Sequence, residues 1–190
     1  MPIAINGSGS ITGISAGGLP DGCVTADDLA SGVGGKILQV VNIIKTDTFS
    51  TTSTTPVDIT GFSVTITPSS SSNKVLLLIN IGILGASGGN GTYVNLLRGS
   101  TAIAATTIGS GNLDSRSGFA SGGGGGMSEN ERKTTAAGIT FLDTPNTTSA
   151  TTYKIQISTS NSSYTSFFNR WGENTDNASV STITAMEVAA

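Results

Sequence analysis

The sequence predicts an all-β sandwich or barrel, preceded by a stretch that cannot build a core of its own. Three observations lead there. Short runs of β-branched and apolar residues recur along the chain, parted by turn signals about every 8–12 residues. No run carries a convincing helical pattern. The composition also favours strands and turns, because Thr is β-branched while Ser, Asn and Gly suit turns. Charged residues make up only 11%, against about 25% in an ordinary soluble domain, and apolar residues 36%. The 190 residues fit one domain plus a short extension, divided as 1–35 and 36–190.

Strand signals begin after Gly35. KILQVVNIIK (36–45) is apolar and β-branched. TGFSVTITP (60–68) alternates, with Phe62, Val64 and Ile66 on one face and Ser63, Thr65 and Thr67 on the other. SSSSN (69–73) is a turn, KVLLLINIGIL (74–84) a long strand, and GASGGNGT (85–92) a turn. TYVNLLR (92–98) and TAIAATT (101–107) read as a hairpin closed at Gly99-Ser100. KTTAAGITFLD (133–143), TYKIQIST (152–159), YTSFFNR (164–170) and ASVSTITAMEV (178–188) complete the set, with TPNTTSAT (144–151) as a loop.

The strands are of two kinds. Those at 62–67 and 153–158 alternate apolar and polar, as a sheet with one wet face requires. Others are apolar on both sides. Along 75–84, Val75, Leu77, Ile79, Ile81 and Ile83 line one side, and Leu76, Leu78 and Leu84 the other. In 37–44, Ile37, Val41 and Ile43 oppose Leu38, Val40 and Ile44. Strands 135–142 and 180–188 are milder cases with Ala136, Ala137 and Ala185. A sandwich has one interior, so a strand apolar on both faces needs a second partner. That partner is another copy of the chain, giving a homo-oligomer, or the N-terminal stretch laid over the face.

Two loops stand out. Residues 108–132 hold five consecutive glycines (122–126). Such a length is either functional or a simple excursion; as a contact loop its anchors would be Arg116, Phe119 and Arg132. RWGENTDNAS (170–179) carries the only tryptophan, Trp171, beside Arg170. The pair suits either an outer binding surface or a cap on the end of the sandwich.

Composition excludes much chemistry. The chain has no histidine, which removes Ser-His-Asp and Cys-His nucleophile systems and His-containing zinc sites. The one cysteine, Cys23, has no base near it in sequence and no partner for an intrachain disulfide. GSGSITG (7–13) follows no strand, opens no helix and lacks a P-loop lysine. The carboxylates sit mostly in turns and loops rather than as a glycosidase pair, and ENTDN (173–177) lacks the spacing of a calcium loop. The expectation is no enzyme, no cofactor and no metal. The nine basic residues are scattered and the net charge is −3, which argues against nucleic acid. VLLLINIGIL (75–84) is too short for a membrane helix, and MPIAINGSGS lacks the basic and long apolar regions of a secretory signal. The N-x-S/T matches at Asn6, Asn90, Asn146, Asn161 and Asn177 are therefore read as chance in a Ser/Thr-rich chain.

The front, INGSGSITGISAGGLPDGCVTADDLA (5–30), resembles the N-terminal segments of virion proteins of tailed bacteriophages, particularly those infecting cyanobacteria and other aquatic bacteria. The rest resembles the trimeric jelly-roll knobs of phage fibres and head decorations, similar in form to C1q and tumour-necrosis-factor domains. SNKVLLLINIG (72–82), LLRGSTAI (96–103), ITFLDTPNTTSATTYKIQI (139–157) and STITAMEVAA (181–190) carry that likeness. The resemblance implies a homotrimeric jelly-roll β-sandwich behind an extended Gly/Ser-rich N-terminal arm. Its inner sheet would join the first, middle and last strands about a threefold axis. The protein would be made in the bacterial cytoplasm and reside on the phage particle. Residues 1–35 would attach it to the major capsid protein or another virion protein, with Ile3, Ile5, Ile11, Ile14 and Leu19 entering a partner's grooves or adding to a sheet edge. Thr25 would N-cap a short helical turn, with Asp27 and Asp28 near its N-terminus.

Within that reading the chain is a capsid decoration or cement protein. The alternative is a short tail or head fibre whose knob binds the host surface. No heptads or repeats supply a stalk ahead of the knob, which favours decoration. The glycine loop, Trp171 and a hydroxyl-rich surface suit contact with a host glycan.

Overall fold

The computed structural model describes residues 35–87, 91–104, 120–122, 134–171 and 178–190. Eleven strands account for most of them: β1 (Ile37–Lys45), β2 (Phe49–Thr51), β3 (Val57–Ile66), β4 (Lys74–Ala86), β5 (Thr92–Arg98), β6 (Thr101–Ile103), β7 (Ala120–Gly122), β8 (Thr134–Asp143), β9 (Thr151–Thr159), β10 (Ser166–Phe168) and β11 (Ser181–Val188). There is no helix among the described residues. All strand pairs are antiparallel and form two sheets.

The first sheet is built around β4. One edge of β4 pairs with β8 along most of its length. The other edge is shared: β11 pairs with residues 74–80 and β10 with residues 84–86. β1 lies beyond β11, and β2 beyond β10. The second sheet runs β3-β9-β5, and the far edge of β5 is again shared, β6 pairing with Leu96–Arg98 and β7 with Thr92–Val94. Successive long strands pass from sheet to sheet (β3, β4, β5, β8, β9, β11), and the first strand pairs with the last. This winding is a jelly roll, as the sequence predicts.

Alternation decides what goes inside. Ile59, Phe62, Val64 and Ile66 of β3 and Tyr153, Ile155 and Ile157 of β9 are buried. They meet Val75, Leu77, Ile79 and Ile81 of β4, and Ile183 and Ala185 of β11. The Phe62 and Phe168 rings lie 5.1 Å apart at a tilt of 52°, a favourable aromatic geometry. Outward on β3 and β9 the residues are polar. Thr65 and Thr152 are opposite each other and hydrogen bonded at 2.8 Å. Asp58 accepts from Lys154 and Gln156, each at 2.7 Å, and these bonds hold its carboxyl below the usual carboxylate range.

The structure corrects the sequence reading in several places. A bulge between Ile81 and Leu84 shifts the register of β4, so Leu84 enters the core while Ile83 does not. A second irregularity, between Ile37 and Gln39, leaves Ile37 opposite Val188 and exposed rather than facing inward with Val41 and Ile43. β6 is three residues long and is followed by Ala104 at a φ of 58°, off the strand region. β2 is an additional strand. The long 108–132 segment is not all loop, since Ala120–Gly122 completes the edge of β5 below β6. The two-residue hairpin at Gly99-Ser100 is as predicted, with Gly99 at a φ of 59°.

Three buried polar groups tie the sheets and their broken edges together. Asn169 is fully buried and left-handed, with a φ of 60°. Its side-chain amide donates to the carbonyls of Lys45 (2.9 Å) and Asp47 (3.1 Å), where β1 ends before β2. Its side-chain oxygen accepts from Ser181, where β11 begins, and its backbone N–H donates to Ile83. One side chain therefore closes both strand breaks. Between the sheets, Asp143 of β8 accepts from Arg98 (2.9 and 3.0 Å) and from the buried Tyr153 hydroxyl (2.7 Å). Burial and the bond to Asp143 push the Tyr153 phenol far up. At the end of β11, Glu187 accepts from Asn73 and from both the amide and hydroxyl of Ser69, at 2.6–2.7 Å. Burial opposes its ionisation, but bonds from Asn73, Ser69 and the Ser70 backbone outweigh that and hold the carboxyl below its usual value.

Replacing Asn169 separates its two roles. Asn169→Gly keeps the left-handed backbone and loses only the side-chain bonds, whereas Asn169→Ala loses both. Urea unfolding should show both variants destabilised, Ala by about 1 kcal/mol more than Gly.

Candidate assembly surface

Directly opposed residues on antiparallel strands point to the same face. The outward side of the first sheet can therefore be read in rows across β1, β11, β4 and β8. The first row is Val40, Met186, Leu76 and Leu142. The second is Asn42, Thr184, Leu78 and Thr140. The third is Ile44, Thr182, Asn80 and Gly138. None of these side chains is charged. The row beyond the first reaches Lys74, opposite Val188.

This face exposes large aliphatic side chains beside neutral polar ones (Asn42, Asn80 and Thr140). Val40 is 57% exposed, Ile44 56%, Leu142 49% and Leu78 37%. Fully burying such a half-exposed aliphatic would gain on the order of 1 kcal/mol. The contrast with β3 and β9 is internal to the molecule. Those strands use the same alternation but turn Thr, Ser, Lys, Gln and Asp outward. The sequence therefore spends its outward aliphatics on one sheet, and that sheet joins the first, middle and last strands. The polar groups within the rows are neutral, and Asn42 is already engaged, donating to Thr184 (2.8 Å) and to the Ile183 carbonyl (3.2 Å). Charge depletion with retained hydroxyls and amides is the composition of an interface centre.

The upper end of β4 is closed off by the chain itself. A Cβ at Gly82 would stand 2.5 Å from both the Ser179 hydroxyl and the Val180 carbonyl, and one at Gly85 2.7 Å from the Trp171 carbonyl. Only glycine lets the backbone at Arg170–Trp171 and at Ser179–Val180 approach β4 so closely. Arg170 and Trp171 are half-buried there. The Arg170 guanidinium carbon stacks 4.4 Å above the centre of the Phe167 ring. These two proposed outer-contact residues thus sit side by side at one end of the sandwich. Arg116, Phe119 and Arg132 lie outside the described residues, as do the attachment residues Ile3, Ile5, Ile11, Ile14 and Leu19 and the Thr25 turn.

Sequence reasoning identified the apolar residues of the face but missed its polar middle. Asn80, Thr182 and Gly138 come together only through the register of three strands. The available signal was Gly138, a glycine within an otherwise strand-forming run. Among the described residues there is no cluster of His, Cys, Asp and Glu that could hold a metal ion, and no helix long and apolar enough to cross a membrane.

Leu77 and Leu78 are adjacent and face opposite ways, so they separate folding from assembly. Leu77→Asp places a charge in the core and should abolish folding. Leu78→Asp should leave the far-ultraviolet circular dichroism unchanged and yield a monomer by sedimentation.

No family model and no curated protein matches this chain. Among solved structures, the VP2 subviral particle of infectious bursal disease virus is similar over 80% of this chain and 37% of its own, at 17% identity and a TM-score of 0.29. The chain thus spans little more than a third of that protein.

Proposed function

We propose that this chain is a structural protein of a phage particle: a homotrimeric capsid decoration protein whose knobs pack through the outward face of β1, β11, β4 and β8. The observation that carries the reading is that uncharged, half-exposed aliphatic face. A soluble domain rarely leaves such a surface to water, and a face without charge is compatible with a copy of itself. The placement on a virion rests on the likeness of INGSGSITGISAGGLPDGCVTADDLA to phage virion N-termini. In this reading residues 1–35 attach the trimer to the major capsid protein or another virion protein through Ile3, Ile5, Ile11, Ile14 and Leu19.

The short-fibre role makes the same trimer but turns the knob to the host. What favours it is the Arg170–Trp171 corner, where a stacked guanidinium and an indole sit at one end of the sandwich. Such a corner suits contact with a glycan.

Deleting residues 2–30 should leave a soluble oligomer that no longer co-sediments with particles lacking the native protein. Retained decoration by the truncated chain would contradict the attachment role. Quantifying the chain against the major capsid protein separates the two virion roles. Hundreds of copies per particle mean decoration, and a few dozen or fewer mean a fibre.

A further inference from the structure

Gly138 has no explanation within its own chain. It lies in the middle of β8, on the outward face. Its φ is not in the left-handed region, and a Cβ built on it would meet nothing within 4 Å. Neither backbone conformation nor internal packing calls for glycine there, and a glycine inside a strand weakens it. A glycine inside a strand marks a bulge or a close approach from outside; the β4 bulge begins one residue pair away, and the open space over Gly138 also leaves room for an approach. Gly138 lies at one side of a shallow depression of about 240 Å³ that spans β11, β4 and β8 and is lined by Leu78, Asn80, Gly138, Thr140, Thr182 and Thr184 among others.

The third row of the face also holds the side chain that could fill it. Ile44 stands in the same row as Gly138, at the opposite edge of the sheet, and is 56% exposed. Three strand spacings, about 14 Å, separate Ile44 from Gly138 within one chain, so Ile44 stands beside Thr182 at the near side of the depression and does not reach the space over Gly138. Rotation about an axis running along the strands changes a residue's position around the axis but not its height. About an axis of that direction a protrusion and a hollow that meet in a cyclic assembly share a row, as these two do. We infer that Ile44 of one copy seats in the depression over Gly138 of the next, fixing the register of a closed, head-to-tail ring. This rests on the self-assembly reading above, and it names the residue pair that reading leaves open.

A cysteine pair tests the contact in the full-length chain. With Cys23→Ser to remove the native thiol, Ile44→Cys and Gly138→Cys on the same chain should oxidise to a ladder of dimers and trimers on denaturing gels. Bridging requires the two Cα atoms within about 7 Å. Neither single-cysteine variant should give trimers. A second pair guards against disturbance by the new thiols. Gly138→Val should weaken association at least tenfold by filling the hollow, and adding Ile44→Ala should recover most of the loss. An intact oligomer that forms no ladder and shows no recovery would overturn this pairing while leaving self-assembly standing. A parent chain that is monomeric would overturn both.

Discussion

One constraint organises this molecule: a sheet can be apolar on both faces only if both faces are covered. β3 and β9 obey the ordinary rule, turning Phe62, Val64, Tyr153 and Ile155 inward and Thr, Ser, Lys and Gln outward. β1, β4 and β8 do not. Leu77 and Ile79 fill the sandwich while Leu76 and Leu78, between and beside them, face away from it. The jelly-roll winding then concentrates the exception. It brings the first, middle and last strands, 100 or so residues apart in places, into one four-stranded surface. Self-association is the economical way to satisfy that surface, because its neutral rows carry no charge to repel or to desolvate.

The fold secures this sheet at its weak points. On one side of β4 the sheet is broken, between β10 and β11 and, one strand further out, between β1 and β2. Asn169 spans both breaks, using its left-handed backbone to leave β10 and its amide to hold the ends of β1. Gly82 and Gly85 let the backbone at Ser179–Val180 and at Arg170–Trp171 come close to β4. Glu187 and Asp143 fix the opposite end, each a buried carboxylate whose charge is met by several donors. These buried polar networks, with their members hydrogen bonded, fix the strands of this sheet in one register.

Much of this was legible in the sequence because periodicity reports burial directly. The alternation in 62–66 and 153–157 located β9 within a residue and β3 within three. The two-sided apolar runs at 37–44 and 75–84 pointed to an additional face before any strand had a neighbour. What could not be read depends on the position of the partner rather than on the strand itself. Nothing local in KVLLLINIGIL announces the bulge that sends Leu84 inward and Ile83 out. Phe49–Thr51 and Ala120–Gly122 are too short for a period to show. Glu187 sits at an inward position in STITAMEV, and its place is intelligible only once Ser69 and Asn73 arrive from the other end of β4. Asn169 in SFFNR looks like an ordinary strand end, yet its partners are some 120 residues away.

The central claim is that the outward face of β1, β11, β4 and β8 is buried between copies of this chain. Native mass spectrometry of the purified full-length protein tests it most directly, since one chain weighs 19.0 kDa. The account predicts a single dominant species of three chains. A lone 19.0 kDa species at concentrations where the protein is otherwise soluble and folded would contradict it.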